Sequence, residues 1–424
     1  MQHWLPLPFV ALLPLGGCIQ PCGKSSTPSG DPVGRAAAPV VKGHQVRRFE
    51  DLPPPFATPS KSNPPLVVER PEGATLHLPP GFRIQEYASG GFQRPRWCAV
   101  APNGDVLVSD AEAGTVTLLR GIDANGRARE RRLFAAGLMQ PFGLAFAPGF
   151  VYVGGTDAVV RIPYEPGDLQ ARGPAKVVAA LPGQGYHEHW TRNVLVSRDF
   201  KKLYVTVGST SNDDPERDPE RAAVLEMNLD GTGRRVFASG TRNPVGLAWR
   251  PATTQLWAVV EERDGLGDDL VPDYFAKMSD GAFYGWPFAY LGPHEDPLHR
   301  GERPDLVAKT RAPELLLQAH VAVLGLVFYE GAMFPADWRG DAILALHGSW
   351  NRSLRVGYEL VRVRMQGDGP LDGYDEFVTG WMSAPDRKEV WGRPVGLSVL
   401  PDGSMLVVDD AAAVVWRITY TAAP

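Results

Sequence analysis

One local pattern recurs six times beyond Pro65, and it limits the folds open to this chain more than any other feature. A turn rich in Pro, Asp or Gly leads into a short apolar strand, a polar break and a second short strand. PNGDVLVSDAEAGTVTLLR at 102–120 is the clearest copy, and others begin at Ala147, Ser197, Pro251, Phe334 and Leu400. The strands are short, carry Val, Leu, Tyr and Trp, and are bounded by turn formers, as antiparallel strands are. No long stretch has the period of an amphipathic helix. Repeats of roughly 45 to 50 residues with several short strands each are the signature of a propeller. The fold expected is therefore all-β, a six-bladed β-propeller over residues 66–424. LHLPPGFRIQEYA at 76–88 has strand character before the first full copy. It is expected to add an outer strand to the last blade and so close the ring. The wider interval at about 267–333 predicts an insertion over one face.

The first 65 residues follow other rules. MQHWLPLPFVALLPLGGC carries an apolar run from Trp4 to Leu15, too short to span a bilayer, ending in small residues before Cys18. That is the layout of an export signal. Leu15-Gly16-Gly17-Cys18 resembles a bacterial lipobox, so residues 1–18 are expected to be a signal peptide and the chain a periplasmic or cell-envelope lipoprotein. Its only membrane contact would be the lipid anchor. Residues 19–65 are rich in Pro, Gly, Ser and Ala with no apolar period and are expected to be a flexible linker. Cys22 and Cys98 are the other cysteines, and spacing alone does not decide whether they pair. The net charge of -5, without a basic block, argues against a nucleic-acid partner, because phosphate binding needs concentrated Lys and Arg.

In a propeller, loops at one end of the axis converge. Several here are rich in groups capable of chemistry: His187–Asn193, Thr241–Gly246, Glu261–Asp269, His347–Arg352 and Gly392–Gly396. Together they bring Arg192, Arg242, Arg352 and Arg393 to one place. Clustered guanidiniums repel unless an anion balances them, and their planar fork suits bidentate carboxylate recognition. The aspartates of 264–273 offer oxygen to a hard cation such as calcium.

HWTRN with GS after the next strand, ASGTRNPVGLAW, EERDGLGDDLVPDYF, FYGWPFAYLG, HGSWNRS and WGRPVGLSVLPDGSMLVVDD, in that order, resemble the pyrroloquinoline quinone (PQQ) dependent sugar dehydrogenases. The nearest branch holds L-sorbosone dehydrogenase-like and aldose sugar dehydrogenase-like proteins, and the likeness covers roughly residues 75–420. It implies PQQ and calcium at the channel mouth and oxidation of an aldose or related aldehyde to a lactone or acid. The electron acceptor stays unidentified. By position it implies His189 as the proton-accepting base; His187 is the substitute, because the two His flank Glu188 and alternate residues of an extended segment share a face. Arg192, Arg242, Asn243, Arg352 and Arg393 would be cofactor contacts, and Asp264 and Gly265 would give main-chain oxygens to calcium. A neutral imidazole is suited to take a hydroxyl proton near pH 7.

The sequence departs from the soluble glucose dehydrogenase branch, where an Arg follows the base by four residues and an Asp orients it. Asn193 and Ser209 stand in those places here, leaving Asn212, Asp213 or Glu188 as candidate orienting groups. Trp190, Trp286 and Trp350 are candidate walls for a sugar. The residues alone also admit a non-catalytic propeller that binds carbohydrate or protein, whose mouth would lack a basic pocket. They admit a metal-dependent lactonase too, whose acidic side chains would converge on the axis.

Overall fold

The computed structural model describes residues 43–183 and 189–422. Six antiparallel sheets are arranged as blades, each with its innermost strand against the axis; five have four strands, and the third carries a short parallel fifth strand, Ala282–Phe283, at its outer edge. Blade 1 holds Pro95–Val100, Val106–Asp110, Thr115–Ile122 and Ala128–Ala135. The innermost strands of blades 2 to 6 are Leu144–Ala147, Val194–Val196, Asn243–Trp249, Val323–Phe328 and Pro394–Val399. Each sequence repeat supplies the second strand of one blade, so the six-bladed expectation holds. Second strands such as Val106–Asp110 are buried throughout, whereas the outer Ala128–Ala135 alternates toward solvent. That gradient is what a radial stack requires.

Closure is as expected. Phe82–Ser89 pairs antiparallel with Val414–Tyr420, so the first long strand completes the last blade. A repeated ion pair locks the blades from within: Arg120 to Asp105, Arg362 to Asp341 and Arg417 to Asp402 join a third strand to the turn before the second.

Two expectations change. The interval at 267–333 is only in part an insertion: Pro272–Met278 and Leu315–Ala319 are strands of blade 4, which narrows the excursion to about 279–314. Residues 43–65 are an ordered strap rather than a linker. Gln45 pairs with Tyr374, Phe49 stacks on His294, and Asn63 N donates to Trp350 O at 2.7 Å. Composition misses this because the strap has no core of its own and satisfies its backbone on the propeller's loops. The signal, the lipobox and Cys22 lie outside the described residues. Cys98 lies buried in blade 1, where burial pushes its thiol up to about 12.

The innermost strands approach so closely that four of them need glycine. A Cβ on Gly246 of blade 4 would lie 2.8 Å from Leu324 O of blade 5. One on Gly396 of blade 6 would lie 2.7 Å from Arg96 O and 2.8 Å from Trp97 Cα of blade 1. Gly143 and Gly325 meet the backbones of blades 3 and 6 in the same way. Because the opposing atoms are backbone, they cannot swing aside. Gly396→Ala is expected to cost about 3 kcal/mol in chemical denaturation, at the upper end of overpacking penalties. Gly369→Ala, with nothing within 4 Å, should change stability little.

Candidate active site

A cavity of about 630 Å³ opens at the end of the axis where innermost strands begin and second strands end. Its walls follow from that rule. Arg96 lies at the start of the blade 1 strand, with Arg94 just before it; Arg242 precedes the blade 4 strand and Arg393 that of blade 6. A carboxylate at the end of the neighbouring strand holds two of these turns: Asp110 accepts from Arg94 N at 2.9 Å, and Asp409 from Arg393 N at 2.7 Å. A larger groove, about 1150 Å³, lies on the outer flank of blade 6 between Arg70 and Arg127, away from the axial loops.

On one wall, Asp410 is the hub. It accepts from His347 Nε2 at 2.9 Å and from Arg96, and Arg94 Nε stands 3.7 Å away. Burial opposes its ionisation, yet His347 and Arg96 hold its carboxyl well below the usual range. Burial and Arg393 push His347 down to about 3, so at neutral pH it is a neutral ring donating from Nε2, with its lone pair on Nδ1. The pair is therefore a hydrogen bond to a carboxylate whose charge Arg96 balances.

On the facing wall, His189 Nδ1 lies 2.9 Å from Ser209 Oγ and 3.1 Å from Ser209 O. The Ser209 hydroxyl donates to Ser211 O at 2.6 Å, so both Ser209 oxygens act as acceptors toward the ring. The proton thus sits on Nδ1 and the basic lone pair on Nε2. Burial, then Arg242, push His189 down to about 3. Arg242 is fixed by Glu262 O at 2.8 Å, Asn212 O at 3.1 Å and Asp264 Oδ2 at 3.3 Å. Asn243, Glu261, Glu262 and Asp273 form the floor, where burial foremost pushes Glu261 up to about 7, Glu262 to about 8 and Asp273 to about 6.

A family profile described as Glucose / Sorbosone dehydrogenase matches residues 152–370. The chain belongs to this family. It is 25% identical to an uncharacterized protein of Borreliella burgdorferi over 82% of this chain and 91% of that protein. It is also 25% identical to the pyrroloquinoline quinone-dependent pyranose dehydrogenase of Coprinopsis cinerea, over 82% of this chain but only 55% of that enzyme. Thus this chain spans about half the length of that fungal relative. The holo structure of that enzyme's PQQ domain superposes with a TM-score of 0.69 at 21% identity, covering 84% of this chain and 99% of that domain. A calcium structure of a Trichoderma reesei enzyme of family AA12 gives 0.71 at 19% identity, covering 85% and 100%.

Within this dehydrogenase-family fold, the cavity gathers His189, Arg242, Asn243, Arg393 and the side chain of Asp264. It does not gather Arg192 or Arg352. Arg192 is fully buried behind the wall, donating to His189 O, Thr191 O and Pro182 O. Arg352 turns to Asp268 O and Asp269. Both follow or lie beside a lining residue, and successive side chains of extended backbone point opposite ways.

The expected calcium oxygen at Asp264 does not fit. Asn212 Nδ2 at 3.0 Å and Arg263 Nε at 3.1 Å donate to that carbonyl, occupying both lone pairs, one of them with a cation. Among the described residues no three His, Cys, Asp or Glu are arranged to hold a metal.

Of the orienting candidates, Asn212 serves Arg242 and Asp213 pairs with Arg263, so Ser209 itself orients His189. His187 and Glu188 lie outside the described residues. Trp190 and Trp350 line the cavity, while Trp286 is buried and donates to Asn212 O. Sequence reasoning missed Arg94, Arg96 and the His347–Asp410 pair. The signal was in QRPRW, which heads an innermost strand as TRNPVG and WGRPVG do.

Glu262 has a pKa raised from 4.5 to about 8, so the folded state holds its proton more tightly. That contribution is full below 4.5 and lost as pH rises through 8. Glu262→Gln is therefore expected to flatten the fall in melting temperature between pH 6 and 9, by an amount equivalent to about 1–2 kcal/mol.

Proposed function

We propose that this chain is a PQQ-dependent dehydrogenase that oxidises an aldose or related, sorbosone-like aldehyde to a lactone or acid. The observation that carries the reading is the convergence of Arg94, Arg96, Arg242 and Arg393 with two neutral imidazoles in one axial cavity. The donor set fits a flat polycarboxylate. Arg96 Nε is buried without a hydrogen-bond partner, and among the described residues Arg94 reaches an acid only through the distant contact to Asp410. When bound, PQQ would supply three carboxylates and an electrophilic carbonyl that accepts hydride.

The chain's own residues would do the rest. The four arginines hold the carboxylates and set the orientation. His189 Nε2 takes the substrate hydroxyl proton as the hydrogen on the same carbon leaves with its electron pair, and Ser209 keeps the ring in the tautomer that allows it. His347 faces the same cavity with its lone pair on Nδ1 and is the second candidate for that proton. Trp190 and Trp350 wall the space left to the sugar. No step is assigned to calcium, because the Asp264 carbonyl is taken. The basic pocket sets this reading above a non-catalytic propeller. The lactonase reading lacks support in side-chain geometry, since the floor carboxylates bond to Asn243 and to the backbone NH groups of Glu262, Arg263 and Ala322.

Purified protein loaded with PQQ, with and without calcium, should reduce a dye on addition of an aldose or aldehyde; failure to bind PQQ would end the proposal. His189→Ala is expected to lower turnover roughly 10²- to 10⁴-fold with PQQ still bound. A larger loss in His347→Ala than in His189→Ala would move the base to the opposite wall.

A further inference from the structure

The strap's course raises the question of what it holds. Between Phe56 and Pro64 it lies against a lip of two loops that reach the cavity at Asp264 and at Trp350 and Asn351. The first carries Asp264 and continues through Gly267, Asp268 and Asp269. The second carries Trp350 and Asn351 and continues to Arg355. The loops are joined to each other: Asn351 Nδ2 donates to Asp264 Oδ1, and Ser353 N donates to Asp268 Oδ1 at 3.0 Å. Neither loop contains a strand, so their carbonyls and NH groups must find partners elsewhere.

The strap supplies them at two points. Thr58 Oγ1 accepts from Asp268 N at 2.8 Å, and Phe56 N donates to Leu266 O at 2.7 Å. The approach is close enough that a Cβ on Gly267, itself at φ +125, would meet Thr58 Oγ1 at 2.7 Å. Farther along, Asn63 N donates to Trp350 O, and its Nδ2 donates to Arg352 O at 2.9 Å and Ser353 O at 3.2 Å. Buried Arg355 closes the arrangement, reaching Asn63 O at 2.7 Å and Asn63 Oδ1 at 2.9 Å.

We propose that Thr58 and Asn63 are positioning residues for the cavity. By fixing the joint lip they hold Trp350 at the rim and hold Asn351 against the Asp264 that anchors Arg242. The functional unit then begins within the strap rather than at the first blade. The consequence for substrate rests on the dehydrogenase reading, whereas the hold on the lip does not.

Three full-length variants test it. Thr58→Val keeps shape and loses the acceptor, Thr58→Ser keeps the acceptor, and Asn63→Asp keeps the oxygen facing Arg355 but loses the donor to the lip. In cofactor-free protein, Thr58→Val and Asn63→Asp are expected to speed amide exchange of 264–269 and 349–355 about 10-fold, with blade strands unchanged and Thr58→Ser like the parent. With PQQ loaded, the same two variants should raise KM for the sugar more than they lower kcat. Unchanged lip exchange would overturn the proposal, and so would equal loosening of the blades, which marks a merely structural strap. A loosened lip with unchanged KM would overturn the positioning role. If the parent shows no sugar oxidation at all, the dehydrogenase reading fails by itself, and the exchange measurement still decides whether the strap holds the lip.

Discussion

The close approach of innermost strands around the axis is the constraint on which the rest depends. At Gly143, Gly246, Gly325 and Gly396 one blade's backbone lies where a side chain on its neighbour would be. No flexible group intervenes, so the strands are in fixed register and their first residues form a fixed ring. Whatever side chain heads an innermost strand is delivered to the mouth. In three of the six blades that side chain is an arginine lining the cavity: Arg96, Arg242 and Arg393.

Such a ring concentrates positive charge, and the structure balances it in part. Asp410 serves Arg96 and Asp264 serves Arg242, each within a shared hydrogen-bond set. The remaining carboxylates lie on the floor, where burial raises their pKa and weakens their charge. A cationic rim over a floor held partly protonated leaves a net attraction for an anion, and it directs that anion to the rim. The same burial keeps both imidazoles neutral, so the site presents cations beside two uncharged rings.

The blades were legible because each second strand repeats a turn, an apolar run and a break, a pattern that survives without knowledge of neighbours. The mouth was legible in part. Arg242 and Arg393 were found because each sits in an RNP or RP motif before an apolar strand. Arg96 has the same context, yet its motif opens blade 1 without a preceding repeat to compare. Arg192 and Arg352 show the limit: the loop was right but the side chain's direction, set by alternation along extended backbone, was not readable from residue type. The strap was misread for a related reason. Two of its apolar residues, Phe49 and Leu52, pack on a core supplied by residues more than a hundred positions away. No local window contains that information.

The two facing imidazoles differ in what supports a gained proton. His347 leans on the Asp410 carboxylate, which favours its charged form but is shared with Arg96. His189 leans on the neutral Ser209, yet Asp264 contributes favourably to its charged form. In both cases burial is the largest depressing influence and an arginine the next, Arg242 for His189 and Arg393 for His347. An anion seated against those arginines would cancel the second influence and lift the pKa of each ring toward neutrality. Base strength would then rise only once the anion is bound. Under the proposed function, binding and proton transfer would be coupled in this way, because the arginines that attract the anion are also, after burial, the next influence that depresses the bases.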